Sequence, residues 1–135
     1  MLYTKYIFLI AILAISLFSS CEKDDPVNPS DDPSFKGDFV SGIHTTSGEA
    51  SIDKDKTTLT FTDFKTDSGP DLNIYLASDI TNITSDYIDL GNIKGIDGDY
   101  TYSISGTTDF TQYKYVVVWC VAFDVNFGWA LLEEQ

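Results

Sequence analysis

Between residues 35 and 135, apolar side chains recur at alternate positions in short runs, without the three-to-four spacing of an amphipathic helix. The strongest run is Tyr115 to Val121, Y-V-V-V-W-C-V. It is too short for a helix of ordinary length and rich in β-branched and aromatic residues, so it predicts a strand. Alternation sets Val116, Val118 and Cys120 on one face and Tyr115, Val117, Trp119 and Val121 on the other. Both faces are apolar, which predicts a central strand covered on both sides. Asp124 to Gly128 then turns the chain, and Gly128 to Leu132 reads as a last strand returning beside it.

The preceding pattern is of the same kind. Leu72, Ile74 and Leu76 alternate with Asn73, Tyr75 and Ala77, and Thr57 to Phe61 alternates around Leu59 and Phe61. Asp38 to His44 and Glu49 to Ile52 are the expected first strands, with Thr45-Thr46-Ser47-Gly48 turning between them. Tyr87 to Leu90 and Tyr100 to Ile104 are short strands bounded by glycine and aspartate, and Thr107 to Tyr113 suits a helical turn. The expectation is an all-β fold: a single β-sandwich or small barrel-like domain of seven or eight short strands.

Residues 1–34 break this pattern. Lys5 precedes a nearly unbroken apolar run from Tyr6 to Phe18, shorter than the roughly 20 residues a transmembrane helix needs. The small residues Ser19 and Ser20 then lead into Cys21, as at the end of an export signal. Leu17-Phe18-Ser19-Ser20-Cys21 resembles a bacterial lipoprotein signal, which implies cleavage after residue 20 and acylation of Cys21. Lys23-Asp24-Asp25 directly after it resembles the acidic surface-export tag of lipoproteins from Bacteroidetes-type bacteria. The implied location is the bacterial outer membrane, held by lipid at Cys21 and exposed on the cell surface. Residues 21–34 are proline-rich and acidic, with too little apolar surface to offset their ordering entropy, so they are expected to form a tether. Residues 35–135 are then the β domain.

Charge narrows the function. The net charge is −13, with 21 acidic residues against 8 basic ones, and Lys5 is the only charged residue in the leader. Such a surface cannot neutralise a phosphate backbone, so no nucleic-acid partner is expected.

A string of landmarks runs through the domain in order: Phe35-Lys36-Gly37-Asp38-Phe39, His44, Ser47-Gly48, Asp63-Phe64-Lys65-Thr66, Gly69-Pro70-Asp71-Leu72, Asp86-Tyr87-Ile88-Asp89-Leu90-Gly91, and Trp119-Cys120 through Phe127-Gly128. This resembles the DM-thirteen domain, a family described as an electron-transfer or redox domain, over essentially all of residues 35–135. The resemblance implies a β-rich domain whose signature cysteine, here Cys120, does redox chemistry.

Counting ligands limits that chemistry. Beyond Cys21 the chain holds one histidine, His44, one cysteine, Cys120, and no methionine. It cannot by itself build a blue-copper site, an iron–sulfur cluster or a cysteine–histidine zinc site, and it lacks C-x-x-C and C-x-x-C-H. No metal site is therefore expected, and the sequence names no cofactor. Electrons would move through a thiol, through aromatic residues, or through a cofactor held by a partner. Cys120 reads either as a small buried hydrophobe among apolar neighbours or as a redox thiol. His44 reads either as a hydrogen-bonded turn residue or as a base or ligand paired with Cys120. Asp63, Asp67 and Asp71, like Asp97 and Asp99, suit solvated turns better than calcium loops. No hydrolase or transferase site is recognisable.

The expected function is a redox or electron-transfer accessory centred on Cys120, with His44 as second candidate and a redox protein as partner. The rival is a non-catalytic binding or adhesion module contacting a glycan or protein at the cell surface.

Overall fold

The computed structural model describes residues 32–83 and 85–135. The leader over 1–20, Cys21, and Lys23, Asp24 and Asp25 lie outside the described residues.

Among the described residues the fold is all-β: β1 (Phe35–Ser41), β2 (Thr46–Ile52), β3 (Thr58–Thr66), β4 (Leu72–Ala77), β5 (Tyr87–Asn92), β6 (Asp97–Ser103), β7 (Tyr115–Cys120), β8 (Val125–Leu131) and the two-residue β9 (Glu133–Glu134). Every pairing is antiparallel, in the order β5-β4-β7-β8-β1-β2-β3-β6, with β9 beside β1. The crossing point is β1. Its first half, Phe35 to Asp38, pairs with β2, and its second half, Phe39 to Ser41, pairs with β8. One strand thus joins two sheets, which curl around a shared core into a nearly closed, barrel-like sandwich.

The expected alternation in β7 holds. Val116, Val118 and Cys120 belong to the main core with Phe39, Phe61, Phe64, Leu72 and Phe127. Val117 faces outward into a second cluster with Tyr75, Ala77 and Ile83, flanked by Tyr115, Trp119 and Trp129. Flanked by β4 and β8, β7 is central, with apolar cover on both faces. The main core is aromatic at its centre. Phe61 and Phe64 pack at 4.8 Å, and Phe39 meets both edge-on at 4.9 and 5.0 Å, the geometry aromatic quadrupoles favour.

Two local expectations are corrected. Asp124 to Gly128 is not the turn after β7: residues 121–124 turn the chain, and β8 already runs from Val125. Thr45-Thr46-Ser47-Gly48 is not the turn between the first two strands: β1 starts three residues earlier, at Phe35, and ends at Ser41, and Thr46 already opens β2. Gly48 instead sits in a bulge, where the β2–β3 register shifts between Ser47 and Glu49. Its φ of 109° and the Phe64 Cα that a Cβ would meet at 2.7 Å both call for glycine. A glycine after a serine marks a bulge as readily as a turn. Farther on, the backbone NH of Tyr113 donates to the Asp109 carbonyl at 2.8 Å, closing the single helical turn foreseen before β7.

Candidate functional site

Cys120 ends β7 opposite Leu72, the first residue of β4. Its side chain is fully buried, and it is the free cysteine of the described residues. The thiol donates to the Pro70 carbonyl at 3.1 Å. Pro70 belongs to the Asp67–Asp71 turn, most of which is exposed. Beside it, the Val121 NH donates to the Asp71 carbonyl at 3.0 Å, and Gly69 packs on the Phe127 ring so closely that a Cβ would meet it at 2.7 Å. An exposed turn with a pinned backbone therefore closes over the sulfur.

His44 lies between β1 and β2, and its ring packs on Phe127 with centroids 3.9 Å apart. Its Nδ1 is 3.0 Å from Oδ2 of Asp67, at the start of that same turn. The two candidates thus reach one turn from opposite ends: His44 holds its first residue, and Cys120 is bound to its fourth. Their side chains find different partners rather than each other.

The opposite face of the same strands carries a second constellation. Tyr87 on edge strand β5 stacks on Tyr75 of β4 at 4.3 Å and 22°, and Tyr75 stacks on Trp119 of β7 at 6.4 Å and 25°. The file runs from Tyr87, 40% exposed, through the buried Tyr75 to the half-buried indole. Burial first, then the carboxylate of Asp89 and the neighbouring Tyr87, push the Tyr75 phenol up to about 12. With Ile83, Val121 and Asp124 these three rings line a groove of about 220 Å³. The β7–β8 turn, which lends Val121 (42% exposed) and Asp124 to the groove, also exposes Phe123 (66%).

Asn73 and Asn126 flank Trp119 in register on β4 and β8, hence on the same outer face. The amide nitrogen of Asn73 lies 3.2 Å from an Asp89 oxygen, while its Oδ1 and that of Asn126 are shut from solvent without a donor. Sequence reasoning passed over this constellation. Its signal was faint: outward aromatics at Tyr75, Tyr87 and Trp119 in three separate strands, whose alignment depends on pairing.

Among the described residues no three His, Cys, Asp or Glu side chains gather in a way that could hold a metal ion. Compared with known proteins, residues 38–132 match the family model described as electron transfer DM13. No curated protein and no solved structure matches the chain.

Proposed function

The chain belongs to the electron transfer DM13 family, and from that premise we propose that it is a surface-tethered accessory of electron transfer whose redox group is the Cys120 thiol. The observation that carries this reading is the hydrogen bond from the thiol to Pro70, in an exposed turn that His44 fastens through Asp67. Opening that turn uncovers the sulfur without unfolding the sheets. The exposed thiol loses its proton and attacks a partner disulfide. An S–S bond forms between Cys120 and one partner sulfur while the partner's other sulfur leaves as a thiolate. A first donor thiolate then attacks the Cys120 sulfur and frees the partner's remaining thiolate, and a second donor thiol displaces Cys120 as the donor's own disulfide closes. Two electrons pass from donor thiols to the partner disulfide.

His44 serves in this scheme as a fastening of the turn. Anchoring at Cys21 and surface display through Lys23, Asp24 and Asp25 complete the proposal, keeping the domain at the outer membrane.

The test is thiol labelling of the folded protein. Cys120 is expected to react slowly through local opening, well below the denaturant range where circular dichroism is lost. His44→Ala should speed labelling by about two- to fivefold, since an exposed side-chain hydrogen bond is worth roughly 0.5–1 kcal/mol. Labelling only at the rate of global unfolding overturns the thiol reading. For the anchor, Cys21→Ser should abolish partition into detergent, and unchanged partition would refute acylation. A binding module remains the second reading, favoured by the aromatic groove on the outer face.

A further inference from the structure

The groove at Trp119 combines three features. Its walls are aromatic: Tyr87, Tyr75 and Trp119 in one file, with Ile83 and Val121 closing the sides. Among the described residues that line it, Asp124 is the one that carries a charge. Its surroundings are acidic. Asp89 stands opposite Tyr75 in register on β5. One carboxylate in the groove and another beside it favour an occupant that brings charged hydrogen-bond donors. The chain's net charge of −13 favours one that is positive.

From these features we infer that the groove docks a basic protein partner by taking up an arginine side chain. A guanidinium suits it better than an ammonium. It is planar, stacks on the indole face, and presents donors in a fork that matches the Asp124 carboxylate. A volume of about 220 Å³ suits one such side chain with its stem, not a folded segment. The source is a protein because the apolar Val121, 42% exposed, lines the groove and Phe123, 66% exposed, stands in the same β7–β8 turn. An aromatic anchor point with an apolar margin is the anatomy of a protein contact. Attraction between the acidic surface and a basic partner would make such docking fast, and the small contact would keep it weak. The inference stands apart from the thiol chemistry of Cys120, because docking needs no electron to move.

The probe is a fluorescent peptide of glycine and serine with three arginines, titrated by anisotropy into the purified protein at physiological salt. Companion peptides carry lysine or citrulline in place of arginine. The arginine peptide should bind, the lysine peptide less tightly, and the citrulline peptide not detectably. Trp119→Ala and Asp124→Asn should each weaken the arginine peptide by about tenfold, the loss of a desolvated cation–π or charged contact. Tyr87→Ala, on an edge strand and partly exposed, provides a wall-removing variant that keeps the fold if Trp119→Ala does not, and should also weaken it. Asp55→Asn, in the β2–β3 turn away from the groove, should change affinity less than about twofold, since it removes only a distant screened charge. Absence of binding, equal binding of the lysine peptide, or equal losses from Asp55→Asn and the groove variants would overturn the assignment.

Discussion

Cys120 and Trp119 are neighbours in one strand, yet they face two different environments. Inward, Cys120 meets Leu72, Phe127 and the aliphatic and phenyl core, closed on every side and capped by the Asp67–Asp71 turn. Outward, Trp119 meets tyrosines, carboxylates and amide oxygens, with a groove open beside it. A strand alternates its side chains, so a single residue step separates a group that needs motion to react from one already placed to meet a partner. The inner face supplies stability, and the outer face is where recognition can occur. The two are coupled only through the strand itself.

The sharpest test of that division is to remove a ring from each side. Phe61→Ala should destabilise by about 3–5 kcal/mol in urea unfolding, because a fully buried ring packed on Phe39, Phe64 and Tyr102 leaves a cavity. Trp119→Ala should cost less, about 1–2 kcal/mol, because the half-buried indole gives up only part of its area. Equal losses would place both rings in one core and erase the distinction.

Acid should act on the outside alone. Burial would raise the Asp53 carboxyl, but donation from the backbone of Thr58 and Thr57 and the Thr57 hydroxyl outweighs it and holds the group below its ordinary value. Asp109 is also held down, by the Thr111 hydroxyl and backbone NH. A carboxyl whose value falls on folding stabilises the fold above its unfolded value of about 3.9, and the contribution disappears as pH drops through the folded value. Asp53→Asn should therefore lower the melting temperature near neutrality and leave it less sensitive to pH below about 4. A parallel pH profile in parent and variant would mean that these turns carry no linked stability.

The smallest effect should come from Phe123→Ala. At 66% exposure the ring holds little of the fold together, so stability should change by less than about 0.5 kcal/mol. A larger loss would show that the β7–β8 turn is part of the core and not a surface for partners.

Much of the architecture was legible in the residues. Tyr115 to Val121 foretold its two faces, Leu72 to Ala77 its strand, and Thr107 to Tyr113 its turn, because alternation and turn chemistry are local. Strand ends were less legible. β3 extends past Phe61 to Thr66 through a bulge containing Asp63, whose φ is 49°, and β6 begins at Asp97, not Tyr100. Polar residues such as Thr62 and Asp63 hide a strand's continuation, since an outward position asks only to be compatible with water.

By itself, then, the sequence determined which side chains share a face within each strand, and that Cys120 and Trp119 must part company. Only the tertiary structure decided what each face meets. The stacking of Tyr87 and Tyr75 on Trp119 depends on the registers of β5, β4 and β7, set by pairings between segments far apart in the chain. The closing of His44 onto Asp67 depends likewise on two loops brought together by the joining of both sheets through β1. Periodicity fixes a residue's direction relative to its neighbours in the same strand, whereas register fixes its partners, and no local pattern carries register.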